Sequence, residues 1–192
     1  MSGQQLTSFE HVLLGLVCLS PSSGYDLKRV FATTPMGVYQ PSSGALYPAL
    51  RRLECKGLVQ AASSDGGREA GSSRRRRVYG PTPAGQAAHV AWLRAPVEPA
   101  TAGRDLGLHL VRFVLMEHAF SRAEVLGFLG DLRDALAAFT AGLAKHSEAM
   151  ADDPGHSHAR LALEHGLAVH RASLGWAEHA IAALGSAPAA SS

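Results

Sequence analysis

The chain of 192 residues is long enough for one compact domain or two small ones, and its 46% hydrophobic content can fill real cores. Two cysteines, Cys18 and Cys55, exclude a disulfide framework and a cysteine-based zinc site. The total charge is only +2, yet residues 1 to 94 hold 11 basic and 5 acidic side chains (+6) while residues 95 to 192 hold 7 and 11 (−4), which directs the first half toward a polyanion.

Thr7 followed by Glu10 has the spacing of a capping box, and Phe9, Val12, Leu13, Leu16 and Val17 then form one apolar face, predicting a helix from Ser8 to about Leu19. Ser20 to Gly24 reads as a turn. Ser23 and Asp26 open a second helix with Leu27, Val30 and Phe31 inward and Lys28 and Arg29 pointing elsewhere. Thr33 to Ser43, rich in Thr, Pro, Gly and Ser, separates it from the stretch the rest is organised around, Pro41 to Val59.

In that stretch Leu46, Leu50 and Leu53 recur at helical spacing, so one side packs on a core. The other side carries Gly44, Tyr47, Pro48, Arg51 and Arg52, hydrogen-bond donors beside a position without a side chain. Ser42 or Ser43 can cap the start, and Gly57 suits a left-handed residue past the end. Pro48 argues against the helix, because inside one it removes a hydrogen bond. After Gly57, Leu58 to Ser63 and Arg74 to Tyr79 read as paired strands around a flexible Ser64 to Ser73 loop. Four consecutive arginines on the second strand suit a wing along phosphates, or a solvated edge strand that resists aggregation. Thr82 and Pro83 start a further helix reaching about Leu93, with Val90 and Trp92 on it.

Gly24-Tyr25-Asp26-Leu27, then SSGALYPALRRLECKGLV, then Arg76-Arg77-Val78-Tyr79 and Thr82-Pro83-Ala84-Gly85 resemble, in order and spacing, the PadR family of bacterial transcriptional regulators, in its branch with a longer helical tail. Ser23 and Gly80-Pro81 depart from the usual residues; the second departure is expected to bend the end of the wing. The resemblance implies a winged helix-turn-helix that binds a palindromic operator as a homodimer, usually represses, and has no enzymatic activity. The fold expected is mainly α: an N-terminal winged helix-turn-helix over residues 1–93, a linker over 94–104, a C-terminal antiparallel helical dimerisation domain over 105–185 and a disordered tail over 186–192.

Past the Pro- and Gly-bearing linker, Leu106, Leu110, Phe113, Val114 and Met116 mark a helix ending near Ala119. Ser121 and Glu124 open another, in which Val125, Leu129, Leu132, Leu136, Phe139 and Leu143 alternate spacings of four and three. Leu163, Leu167, His170, Leu174, Ala177, Ile181 and Leu184 repeat that spacing. Val125, Leu129, Leu132, Leu136, Phe139, Leu163, Leu167, Leu174 and Ile181 are therefore expected to face mostly a second subunit.

Double-stranded operator DNA is the expected partner. Tyr47 and Arg51 would read bases, with Arg52 on phosphate; Ser42 and Ser43 would present the helix N-terminus to phosphate, Lys28 would touch the backbone, and Arg76, Arg77 and Tyr79 would serve the wing. A small-molecule effector is expected at Trp92, Trp176 and His170, set against the plainer reading that Trp92 anchors one half to the other and His170 is a hydrogen-bonded rim residue. His146, Glu148, Asp152, Asp153, His156 and His158 match no metal-site spacing, so no metal and no cofactor are expected. Cys55, just beyond the recognition stretch, reads as an inert thiol. With no basic leader and no run of about 20 apolar residues, a cytoplasmic protein is expected. The rival reading is an adaptor whose basic half contacts nucleic acid or an acidic protein without reading sequence.

Overall fold

A computed structural model describes residues 5–33, 44–68, 75–117, 119–149 and 157–186, with backbone only for 63–68 and 75–76. The chain divides into two units, Met1–Ala95 and Pro96–Ser192. Among the described residues no helix is long and apolar enough to cross a membrane.

In the first unit α1 (Ser8–Leu19) begins at the Thr7 and Glu10 capping box, Glu10 N–H reaching Thr7 Oγ1 at 3.2 Å and Thr7 N–H reaching Glu10 Oε2 at 3.0 Å. Two orphan donors of the first turn are thereby satisfied. From Val12 to Val17 every residue is buried, so α1 is the centre of the core rather than a one-sided cover. Around it stand α2 (Gly24–Thr33), α3 (Leu46–Cys55) and α4 (Pro83–Leu93). Ser23 caps α2, its Oγ accepting from Asp26 N–H at 3.3 Å while the hydroxyl donates to Asp26 Oδ2 at 2.7 Å. Leu27 and Phe31 face inward as expected, whereas Val30 is half-buried.

The sheet has three strands in the order β1-β3-β2, all antiparallel, where the sequence suggested a two-stranded wing. The extra strand, β1 (Ser22–Ser23), lies inside the expected turn and pairs with Tyr79 and Val78. Two serines have no alternation to read, so only the tertiary partner makes them a strand. The other strands are β2 (Val59–Arg68) and β3 (Arg75–Pro81), with a register shift between Ser63 and Arg68. β2 therefore runs past the expected loop start, and β3 runs past its expected end at Tyr79, with Gly80 and Pro81 paired against Gln60 and Val59.

Two turns tie these parts together. At the end of α3 the N–H of Leu58 bonds to the carbonyl of Leu53 at 2.9 Å and that of Gly57 to Glu54 at 2.9 Å, with Gly57 at φ 68°. That is a Schellman ending, and the positive φ is why glycine stands there. At the start of α4, Thr82 N–H bonds to the Leu58 carbonyl at 3.1 Å and its hydroxyl to the Gly57 carbonyl at 2.6 Å. A side chain on Gly85 would run into the same Leu58 carbonyl, so helix and strand meet backbone to backbone.

The second unit contains α5 (Pro99–Arg104), α6 (Leu106–Met116), α7 (Arg122–Ala149) and α8 (Ser157–Ser186). Helix α5 occupies the stretch expected to be a linker: Pro99 supplies a preset first turn, and Ala102 is fully buried. The buried face of α6 is His109, Val111, Arg112, Leu115 and Met116, while Val114, expected inward, is 46% exposed. Ser121 and Glu124 open α7 as expected, with Glu124 N–H on Ser121 Oγ at 3.3 Å. Helices α7 and α8 run antiparallel, since Arg122 bonds to the Leu184 carbonyl, Phe139 packs edge-on against His170 at 4.8 Å, and Leu143 lies beside Gly166.

The α7 seam is consumed inside the chain. Leu129, Leu132 and Leu136 are fully buried, Val125 is nearly so, and the half-buried Phe139 sits between His170 and Gly103 of α5, where any side chain would collide with its ring. These residues therefore do not offer the outward surface expected of them. The sequence predicts three helices in this half, and the structure adds a fourth, α5, where the linker was expected. On α8, Leu167 is buried and Leu163, Leu174 and Ile181 are half-buried on the same inward side.

Candidate nucleic-acid interface

Helix α3 is the element the first unit presents outward. Leu46, Ala49, Leu50 and Leu53 are at most 3% exposed on one side, each leucine contributing about 1.5–3 kcal/mol by its burial. On the other side Tyr47, Pro48, Arg51 and Arg52 are exposed. The objection raised by Pro48 disappears because α3 begins only at Leu46. The first intrahelical bond is Ala49 N–H to the Ala45 carbonyl at 3.1 Å, so Pro48 falls in the first turn, where an N–H has no helical acceptor. Ala45 caps the helix without a side-chain bond; Ser42 and Ser43, expected to do so, lie outside the described residues.

Tyr47 is 56% exposed, and its ring edge rests on Gly24 at the start of α2, so close that a Cβ there would stand 2.6 Å from Cε1. The missing side chain of Gly24 sets where the phenol lies. Beside it on α2, Tyr25 is 59% exposed and Lys28 and Arg29 are exposed. Tyr25 was not singled out from the sequence, although its i, i+3 spacing to Lys28 puts both on one face.

The carboxylates of the unit are arranged to leave part of this basic surface uncompensated. Glu10 is 1% exposed and accepts from Arg52 Nε at 2.5 Å and Lys56 Nζ at 3.5 Å. Burial by itself raises the Glu10 pKa, but the Arg52 and Thr7 hydrogen bonds and the charges of Lys56 and Arg52 outweigh it and hold the carboxyl below its usual range. Arg52, expected on phosphate, thus has its Nε edge anchored while half of its side chain remains exposed. Arg77 donates to Glu54 at 2.8 Å and lies 5.6 Å over the Tyr79 ring. That pair is exposed, worth about 0.2–1 kcal/mol, so a phosphate can displace it. Lys28, Arg29 and Arg51 make no ion pair among the described residues.

Tyr79 does not belong to this surface. It is 6% exposed, because β3 is the central strand and the phenol takes its inward side. Arg76 lies in β3, with its side chain outside the described residues.

Of the residues expected to bind an effector, Trp92 belongs to the first unit and Trp176 and His170 to the second. Trp92, half-buried on α4, stacks on His11 of α1 at 4.8 Å and 9° and lies near His89, whose pKa burial lowers. Trp176 meets Phe113 edge-on at 5.6 Å, and His170 meets Phe139. Of the weighed metal ligands, Asp152, Asp153 and His156 lie outside the described residues, among which no cluster of three or more ligand-type side chains occurs. Cys55 is exposed, while burial pushes the Cys18 thiol up to about 11.

A second polar site, invisible in the sequence, lies inside the C-terminal unit. Thr101 donates its hydroxyl to the Glu98 carbonyl at 2.8 Å and faces His109 Nε2 at 3.4 Å, so the imidazole donates from Nε2 and keeps Nδ1 as acceptor. Arg112 Nη1 stands 3.5 Å from that Nδ1, with its guanidinium 4.9 Å over Phe128. Burial, with the Arg112 charge beside it and Asp105 only partly offsetting, takes the His109 pKa down to about 4.

Residues 13–90 match the model of the transcriptional regulator PadR-like family. Solved structures similar to the chain include Bacillus subtilis PadR in complex with operator DNA, at 19% identity over 93% of this chain and 99% of that one with a TM-score of 0.45. Bacillus subtilis PadR in complex with p-coumaric acid is 22% identical over 93% and 99%, with a TM-score of 0.41. A PadR-like transcriptional regulator from Bacillus cereus is 21% identical over 96% and 99%, with a TM-score of 0.39. No curated protein sequence matches significantly.

Proposed function

From the premise that residues 13–90 are a PadR-like transcriptional-regulator domain, we propose that the protein is a homodimeric, sequence-specific DNA-binding repressor acting on a palindromic operator. The observation that carries this reading is the two-sidedness of α3: its apolar side is fully buried, and its other side offers Tyr47 and Arg51 to solvent with no carboxylate on Arg51 among the described residues. A helix of this kind fits the major groove, where an arginine forks onto a guanine edge for about 1–3 kcal/mol of discrimination. Arg52, steadied by Glu10, would hold a phosphate on its free edge, with Lys28 and Arg29 on the neighbouring backbone and Arg76 and Arg77 along the wing.

Two such helices one helical turn apart read two half-sites, so the second unit acts as the dimerising element. Because the α7 seam is already filled, the dimer surface in this reading comes from outward faces, chiefly of α8. An effector would act by changing the separation of the two recognition helices. A planar ligand stacking on the Trp92 face that His11 covers would have to displace that ring, which a fluorescence titration would register.

Fluorescence anisotropy on the duplex upstream of the protein's own gene, against a scrambled duplex at near-physiological salt, tests the proposal. Tighter binding to the first is expected; equal affinity for both refutes sequence reading and favours a nonspecific adaptor.

A further inference from the structure

The buried carboxylate of Glu10 is not explained by the core around it. Two residues later, from Val12 to Val17, α1 is buried throughout and carries no polar side chain, yet Glu10 is as deeply enclosed as they are. An apolar side chain of similar length would fill the same space, and a buried ion pair adds little stability over such a replacement. What the carboxylate adds is direction. Its Oε1 accepts from Arg52 Nε at 2.5 Å, and its Oε2 from Thr7 N–H at 3.0 Å and Lys56 Nζ at 3.5 Å. Donors from the start of α1, from the exposed side of α3 and from the residue after α3 thus meet on one anion, whose own place is set by the capping box.

We propose that Glu10 is a positioning residue for DNA recognition: it fixes the Arg52 guanidinium in one orientation, so that Arg52 meets a phosphate only in the register in which α3 is seated on its operator, and thereby sets discrimination against other duplexes. The inference rests on the DNA-binding reading above and names a residue behind its selectivity.

Arginine is a planar fork, so a bond at Nε fixes the plane in which Nη1 and Nη2 lie. The Arg52 side chain is 51% exposed and that of Glu10 only 2%, so the fork stands in water while its anchor does not. A phosphate cannot draw Arg52 away without leaving a buried charge short of its closest partner. The pair between Arg77 and Glu54 differs, being open to water on both sides and yielding to any phosphate the wing meets. In register, a side chain already held loses little rotamer freedom on binding. Out of register, it cannot swing to the nearest phosphate as an untethered arginine can. The charge count works in the same direction. Glu10 reduces Arg52 and Lys56 to one net positive charge, and the sequence-independent attraction to DNA grows with each further one.

Anisotropy titrations of the full chain on the duplex upstream of its own gene and on a scrambled duplex, each over a salt series, test this. Glutamine serves in a capping box as glutamate does, so Glu10→Gln keeps the local signal for α1. Its amide has one acceptor atom in place of two and no charge, so it cannot hold Thr7 and Arg52 together. The ratio of operator to scrambled affinity is expected to fall about tenfold, with the scrambled duplex bound more tightly and its slope of log K on log salt steeper by up to about 0.9. Arg52→Lys alters only the exposed partner and keeps the charge, but lysine has no fork to orient. It is expected to lower the same ratio severalfold by weakening the operator complex alone, and it decides the matter if Glu10→Gln folds poorly. In an Arg52→Ala background, Glu10→Gln should change the ratio by less than about twofold. A parental ratio in Arg52→Lys, a Glu10→Gln protein that melts lower and weakens on both duplexes in proportion, or a Glu10→Gln effect that persists without Arg52 overturns the positioning role and leaves the DNA-binding reading standing. A parent protein that binds both duplexes equally overturns both.

Discussion

His109 offers the sharpest energetic test of the C-terminal unit. It is 3% exposed, held as the neutral tautomer between Thr101 and Arg112, with a pKa of about 4 against 6.5 for an ordinary imidazole. Between those values the unfolded chain binds a proton that the folded one refuses, so stability is full above 6.5 and falls as pH drops toward 4. A gap of about 2.5 at about 1.4 kcal/mol per unit makes the loss about 3 kcal/mol, a large share of an ordinary domain's stability. Carboxylates titrate in the same range, so the informative quantity is a difference of differences. Urea unfolding at about pH 7.5 and about pH 4.5, read by Trp176 fluorescence in a Trp92→Phe background at fixed protein concentration, gives the pH loss for parent and for His109→Gln. The glutamine keeps a donor toward Thr101 but binds no proton, and the pH loss should shrink by about 2–3 kcal/mol. Equal losses in the two proteins would refute a buried neutral imidazole at this position.

Arg51→Ala should cost about 1–3 kcal/mol on the operator and relax one base position, seen in anisotropy titrations over single-base variants. Arg77→Ala should weaken all duplexes alike and flatten the dependence of log K on log salt, because its Glu54 partner is easily given up. Gly24→Ala should push the Tyr47 ring off its seat and lower operator affinity severalfold while helix content by circular dichroism stays constant. Gly85→Ala drives a methyl into the Leu58 carbonyl, where backbone cannot yield cheaply, and should lower the stability of the first unit by about 1–3 kcal/mol or more in thermal melts.

Features written in local spacing were legible from the sequence: the Thr7 and Glu10 box, the Leu46, Leu50 and Leu53 stripe, Gly57 at the helix end, and Thr82 with Pro83. What failed was whatever depended on a distant partner. β1 is two serines made a strand by Tyr79 and Val78, and Tyr79 is buried because its strand is central. The anchoring of the Arg52 Nε edge by Glu10, 42 residues earlier, is likewise absent from any local spacing. The α7 leucines have the spacing of an intersubunit seam, yet periodicity states only that a face is covered, and α5 and α6 were not counted among the covers. The buried His109 and Arg112 pair arises from a fold in the chain between α5 and α6 that no motif announces.

The junction at Gly57, Leu58 and Thr82 has a mechanical consequence. Because α4 starts on the carbonyls of Gly57 and Leu58, the two residues whose N–H groups close α3, the two helices behave as the arms of one bell crank. A torque reaching the far end of α4, at Leu93, is delivered to the foot of α3 instead of dissipating on the way, and Arg51 swings with it.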